Sequence, residues 1–471
     1  MIFDYAVIAL YFAVMLGVGW WGMRRSRSKE DFLVAGRRLG PVFYTGTLAA
    51  VVLGGASTIG STSLGYEYGI SGLWLAAMLG LGILALSLLF SRKLSQLGVY
   101  TVSEVFELRY NAAGRLLSGI IMIAYDLMVA VTATLAVGTL FDVLLGIPRV
   151  PAILIGGGIV VLYTVLGGMW SITLTDLLQF FIMTAGIFAV LLPVSVMRAG
   201  GTDSLVQSLP SSYFDVTAIG GDKIFSYFLI YFFGMLIGQD VWQRVFTART
   251  ERVARYAGVA AGVYVALYGT AAAAIGMAAK VLFPDLPNVD DAFATVAQGV
   301  LPAGLRGLVL AAALAALMST ASATILASST IAANDIYARF SQRTAGVAVN
   351  RVFAVGGGVV VIVASLLVRD VVGALTIAYN LLVGGVLVPI VGALFWRRAS
   401  AAGALASMLV GSLTVIGLMI AYGMDANEPI YVGLISSVVV FVAVSLLAPP
   451  TEQTQLDSWQ RRLRGEAAVA R

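Results

Sequence analysis

Apolar stretches succeed one another along the whole chain of 471 residues. They lie near 5–23, 41–65, 73–90, 116–146, 150–169, 172–197, 224–241, 256–283, 298–333, 352–368, 371–396, 401–423 and 429–449. A helix crosses a hydrocarbon layer with roughly 20 mainly apolar residues, and a backbone in lipid must satisfy its own hydrogen bonds. The pattern predicts an all-α, polytopic membrane protein with about 13 transmembrane helices. Charged residues are 11% of the chain and hydrophobic residues 60%. A soluble domain carries about 25% charged residues, so this chain could not coat a water-facing surface. Several stretches exceed 25 residues and imply tilt or kinks.

Loop charge predicts the orientation. Segments 24–40, 91–115, 242–255, 334–351, 397–400 and 450–471 hold 23 of the 29 Lys and Arg. The others are Arg149, Arg198, Lys223, Lys280, Arg306 and Arg369. Basic loops stay cytoplasmic, which puts the N-terminus outside and the C-terminus inside a plasma (inner) membrane and requires an odd number of spans. The first stretch lacks a preceding basic region, and Arg24–Arg38 follow it, so it reads as a retained helix and not a signal peptide. The tail 450–471 reads as one short amphipathic or disordered piece. A net charge of +5 is too small to suggest nucleic acid as a partner; the lipid bilayer is the partner the composition demands.

Some stretches are too polar to be mere anchors. The second reads Leu53-Gly54-Gly55-Ala56-Ser57-Thr58 and continues through Gly60-Ser61-Thr62-Ser63. Paired glycines weaken a helix, and hydroxyls can satisfy freed backbone groups. Either the helix unwinds around a site, or small residues make a close helix contact. The ninth carries Ser319, Thr320, Ser322 and Thr324. Neutral oxygens suit a hard cation, although hydroxyls also bond back to the preceding turn. Asp126 lies deep in the fourth stretch, and Asp176 near the cytoplasmic start of the sixth. A mid-bilayer acid costs roughly 2.5–3.5 kcal/mol, so it normally faces a cavity or a partner. Asp126 suits a cation or ammonium; Asp176 suits ion binding, or a helix cap. Asp142 and Asp240 fall near span ends, where water is close. Tyr231 and Phe233, in the aromatic stretch Phe225–Phe233, could stack on a solute or face lipid. Asn380 is a candidate ligand or an interhelical bond.

Cysteine and histidine are both absent, which removes thiolate chemistry and the commonest base and metal ligand. No nucleophile and base stand at one depth, so an enzyme is not expected. A sensor on a phospho-relay is disfavoured by the short tail and the missing histidines.

The segment Tyr163-Thr164-Val165-Leu166-Gly167-Gly168-Met169-Trp170-Ser171, then Thr175-Asp176-Leu177-Leu178-Gln179, resembles the signature of the sodium:solute symporter family. So do Ala393-Leu394, Arg398, Gly403-Ala404 and Gly411. The run Ala315 to Tyr337 looks like that family's eighth core helix, and Gln239 with Gln243-Arg244 fits the segment after core helix six. Tyr100-Thr101 and Glu104 through Arg109-Tyr110 fit the loop after core helix two.

The resemblance implies a five-plus-five inverted-repeat fold of leucine-transporter type, with its site between two discontinuous helices at mid-bilayer. The repeats would be 41–197 and 224–396, joined by an extracellular loop at 198–223. Residues 1–40 would precede them as a helix and basic loop; 397–449 would add two helices before the tail 450–471. In the register set by Gly60 and Gly65-Tyr66, the resemblance implies a sodium site of Ala50, Leu53 and Ala316 carbonyls with the Ser319 and Thr320 hydroxyls. Some members bind a second sodium; Asp176 and Ser322 are present for it, but Ala323 stands where another hydroxyl would be. For the solute the candidates are Gly54, Ser57, Thr58, Asp126, Tyr231, Phe233 and Asn380. Sugar-transporting members present Asn, Gln or Glu on helix one, which is absent here. Gly54-Gly55 is more similar to the choline-transporting branch, and a carboxylate could bind amides near Gly54–Ala56. The expected function is sodium-coupled symport of a small organic solute: an organic cation, amino acid or carboxylate. Alternatives are a proton-coupled carrier using Asp126 or Asp176, or a sensor or channel on the same fold.

Overall fold

The computed structural model describes residues 2–368, 370–424, 426–464 and 466. Arg369, part of the tail (Gly465 and 467–471), Met1 and Asp425 lie outside the described residues. The described chain is helical, its one β-contact being an isolated bridge between Leu39 and Ala248.

Ten helices are long and apolar enough to cross a membrane, or eleven when the bent pair Gly221–Met235 and Gln239–Val245 counts as one span. Two of the ten double back. The helix Ala56–Leu97 is interrupted by a tight turn at Gly69–Leu73, where Gly69 has φ 65°. Its first part completes the span begun by Pro41–Val52, and its second part is the third span. Arg149–Arg198 has 50 residues, about 75 Å of helix, more than twice the thickness to be crossed. It reverses at Gly168, which has φ 56° and ψ −139°. A side chain there would meet the Phe32 carbonyl at 2.4 Å, so only glycine fits. The thirteen crossings expected from the sequence result.

The ninth span, Leu305–Ser341, is the hub: its apolar window is 94% buried, against 22% for Val347–Leu367 and 28% for Glu428–Leu447. The well-covered helices therefore form a protein core, and the poorly covered ones face lipid. Lipid supplies no hydrophobic drive between helices, so close approach has to hold them. Gly65 and Gly276 do this between the second and eighth spans. A Cβ at either would meet the opposing backbone, Ala273 O at 2.3 Å and Thr62 O at 2.2 Å.

Two boundaries differ from expectation, and the tail takes the amphipathic form of the two expected for it. The seventh span does not end at 241; it bends and continues to Val245, which draws Gln243 and Arg244 out of the expected loop into full burial. The ninth begins at Leu305, because residues 292–300 form a separate short helix ahead of Gly304 (φ 92°). In the tail, Gln453–Leu463 is an amphipathic helix that turns Leu456 and Trp459 inward, and Trp459 Nε1 donates to the Ala393 carbonyl at 3.0 Å.

On the basic face, the sequence between the third and fourth spans joins a half-buried charge cluster. Arg115 pairs with Asp335 and Glu107, each at 2.5 Å, and with Glu104 at 3.5 Å; Lys29 stands nearby. Burial, and then the Asp335 carboxylate, push the Glu104 carboxyl up to about 7, against the pull of Arg115. A raised folded pKa means that Glu104 contributes stability below its ordinary value, which is lost as pH rises through about 7. Glu104→Gln should flatten that decline in thermal unfolding measured across this window. An unchanged slope would assign the decline to another group.

Candidate functional site

The second span breaks where its glycines predict. Leu53 leaves the helix (φ −84°, ψ 37°), and its amide reaches back only to Ala50 O at 3.3 Å. The break frees carbonyls in a fully buried stretch. Ser57 Oγ donates to Val52 O at 2.7 Å and Thr58 Oγ1 to Leu53 O at 3.1 Å, so the hydroxyls that follow the glycines satisfy them. The seventh span breaks at 236–238, where Gly238 is extended (φ −61°, ψ 132°). Trp242 Nε1 takes the freed Leu236 carbonyl at 2.7 Å. Gln239 and Gln243 anchor the second half to its surroundings: Gln239 accepts from Val102 N, and Gln243 donates to Leu33 O.

The ninth span passes the first break. Ser319 Oγ donates to Ala50 O at 2.7 Å and to Ala316 O at 2.9 Å. Thr320 Oγ1 donates to Val51 O at 2.6 Å and to Ala316 O at 3.3 Å. A Cβ on Gly54 would lie 2.7 Å from Thr320 Oγ1, so glycine is what allows this approach. Four of the five expected ion-site residues thus bring their expected oxygens into one hydrogen-bonded cluster, which Leu53 joins only through its amide. Leu53 stands at the break beside it, its carbonyl facing Thr58 Oγ1. The donors are neutral oxygens, and each hydroxyl can swing its proton away and present a lone pair. That chemistry fits a hard monovalent cation.

A small cavity of about 20 Å³, room for about one water, lies against the same break and would have to widen to admit a solute. It is lined by Gly54, Ser57, Thr132, Asp240, Thr320 and Tyr379, with Val51, Val52, Gly55, Ala56, Leu79, Val129 and Leu375 as its apolar wall. Among the expected solute residues, Gly54 and Ser57 line it. The others lie elsewhere. Thr58 shares a hydrogen bond with Tyr268 OH at 3.1 Å. Tyr231 shares one with Thr376 at 3.1 Å, its ring 5.5 Å from that of Tyr379. Phe233 packs on Phe228 and Phe232. Asn380 and Asp126 are fully buried, and neither oxygen of Asp126 nor either amide atom of Asn380 has a hydrogen-bond partner among the described residues.

Asp176 is fully buried and ion-paired with Arg244 at 3.3 Å; the same oxygen accepts from Thr47 Oγ1, and its other oxygen has no partner. Ser322 Oγ donates to Ser319 O at 3.0 Å. Charge counting hid Asp240 and Arg244, which it placed at a span end and in a loop. Their signal was the four-residue spacing of Gln239, Gln243 and of Asp240, Arg244, which sets two adjacent rows on one helix.

A family model described as the sodium:solute symporter family matches residues 32–411. The chain is 26% identical over 459 residues to a sodium/glucose cotransporter of Vibrio parahaemolyticus, covering 85% of this chain and 82% of that one. It is 28% identical over 437 residues to a sodium/pantothenate symporter of Escherichia coli, covering 86% and 88%. It is 25% identical over 469 residues to an osmoregulated proline transporter of Bacillus subtilis, covering 93% and 94%. Among solved structures, a sodium-coupled sialic acid symporter in a substrate-bound outward-open state superposes with a TM-score of 0.83 at 21% identity, over 96% of this chain and 99% of that one.

Proposed function

The chain belongs to the sodium:solute symporter family, and from that premise we propose that it carries a small organic solute across the plasma membrane by sodium-driven alternating access. Its basic face is then cytoplasmic, with the N-terminus outside and the C-terminus inside. The observation that carries this reading is the bond from Ser319 to the Ala50 carbonyl at the break of the second span. Sodium is held by the carbonyls of Ala50, Leu53 and Ala316 and the hydroxyls of Ser319 and Thr320. The unpartnered oxygen of Asp176, together with Ser322, supports a second sodium.

The solute occupies the cavity at Gly54 and Ser57. Thr320 belongs to both the ion cluster and the cavity wall. An ion that fixes Thr320 and the broken segment therefore also prepares the solute side, and each ligand favours the state that binds the other. Two closures flank the cavity. Towards the opposite face, the eleventh span lays Val371 and Val372 against Gly55 and Gly60. Towards the basic face stands the Arg244–Asp176 pair with Thr47. Asp126, with neither oxygen bonded, favours a proton-coupled carrier as the second reading.

The test is uptake of L-proline, pantothenate, D-glucose and choline into proteoliposomes under an inward sodium gradient. At least one should accumulate, and accumulation should collapse when sodium is equal on both sides. Accumulation that ignores sodium and follows an imposed pH gradient would select the proton reading.

A further inference from the structure

Resting on that reading, we propose that Asp240 determines specificity: its carboxylate is the counter-ion for a positively charged nitrogen on the solute, beside the ring of Tyr379.

Asp240 lines the cavity and is only 2% exposed. A buried carboxylate must be paired or neutralised. Its side chain accepts from Tyr125 OH at 3.2 Å, a neutral donor. The nearest guanidinium, Arg244, makes no hydrogen bond to the Asp240 carboxylate. Arg244 pairs with Asp176, and its other contacts are backbone carbonyls, Thr47 O at 3.3 Å and Asp240 O at 3.0 Å. Asp126, beside Tyr125 in the sequence, adds a carboxylate with no hydrogen bond. Three buried carboxylates, Asp126, Asp176 and Asp240, thus share one arginine. Among the described residues these carboxylates outnumber their cations, and Asp240 is the member that borders the cavity, where a ligand can supply positive charge.

One aromatic side chain shares the cavity wall with Asp240. Tyr379 lines the cavity, and its ring packs edge-on against those of Tyr125 (5.1 Å) and Tyr231 (5.5 Å). A carboxylate next to an aromatic ring in a dry site is the chemistry that recognises ammonium groups. The approach from the opposite face agrees. Beyond Val372, a vestibule is lined, among the described residues, by the acidic Glu67, Asp290 and Asp370 and the basic Lys223. Such a rim concentrates cations and repels anions.

The experiment uses the purified full chain in sodium buffer and reads thermal stabilisation. The probes are tetramethylammonium, choline, glycine betaine, L-proline and L-lysine, against D-glucose, pantothenate and 3,3-dimethylbutanol, the uncharged isostere of choline. At least one ammonium probe should bind, and the best should bind at least about tenfold more tightly than every uncharged or anionic probe, as a charge-assisted contact implies. Asp240→Asn should erase that preference and keep the stabilisation by sodium alone. Asp240→Glu, which keeps the charge and should fold if Asp240→Asn does not, should still prefer ammonium probes. The inference is overturned if no ammonium probe binds, if glucose or pantothenate binds as well, if Asp240→Asn keeps the preference, or if Asp240→Glu loses it. Loss of sodium stabilisation in Asp240→Asn also overturns it, by making Asp240 an ion ligand. If sodium fails to stabilise the unmutated chain, the symport reading itself fails, which is a separate result.

Discussion

Replacing Arg244 by methionine is expected to destabilise the protein by about 3–5 kcal/mol, because it strands a buried carboxylate. Asp176 is fully buried, and its partners are Thr47 Oγ1 and Arg244. Arg244 also donates to the Thr47 and Asp240 carbonyls, so the substitution removes two further hydrogen bonds besides the charge. Arg244→Lys should not rescue, since an ammonium lacks the planar fork that reaches three acceptors at once. The double variant Arg244→Met with Asp176→Leu should recover much of the loss, because a buried pair can often be replaced by apolar residues of similar volume. Thermal unfolding in detergent measures all four proteins. If Arg244→Met is as stable as the native chain, the pair does not hold the fold. The pair and Thr47 join the first half of the second span, the sixth span and the second half of the seventh. Opening towards the basic face must separate these elements, so a folded double variant should also show faster hydrogen exchange there.

The crossings were legible because lipid imposes a length and a composition on every span, and glycine marks where the chain turns back, at Gly69 and Gly168. The broken second span was legible for a related reason. Gly54-Gly55 weakens the helix, and Ser57 and Thr58 supply the hydroxyls that a break in lipid requires. The cavity wall was less so. Local sequence tells which residues are polar but not which face of a helix meets the site. Tyr379 lines the cavity and Asn380 does not, since successive helical residues point about 100° apart. Asp126 precedes Val129 by nearly a turn, and Val129 lines the cavity while Asp126 does not. Asp240 and Arg244 were hidden by the rule that makes topology readable. Basic residues near span ends are counted as loop, yet a bend at 236–238 lets the helix resume and carries these side chains inside.

Removing the hydroxyls of the ninth span should change sodium dependence more than any other single substitution. Ser319→Ala deletes the oxygen that joins Ala50 to Ala316, and Thr320→Val deletes the one that reaches Val51 while keeping the volume. Each should raise the half-activating sodium concentration by at least about tenfold, the equivalent of roughly 1.4 kcal/mol lost at one ligand. Thr320→Ser keeps the oxygen and should keep sodium activation; equal defects in Thr320→Ser and Thr320→Val would instead point to packing of the methyl group. The two positions should also differ from each other. Ser319 does not line the cavity, so at saturating sodium its variant should bind solute normally. Thr320 lines the cavity and touches the ion cluster, so its loss should weaken solute binding even at high sodium. Reciprocal linkage requires that whatever couples sodium to solute also couples solute to sodium. Solute should therefore still tighten sodium binding in Ser319→Ala and do so less in Thr320→Val. Unchanged sodium activation in both variants would move the ion site away from the break. A normal coupling in Thr320→Val would leave the site in place but route the coupling through the backbone at Gly54, where a Cβ cannot be accommodated next to residue 320.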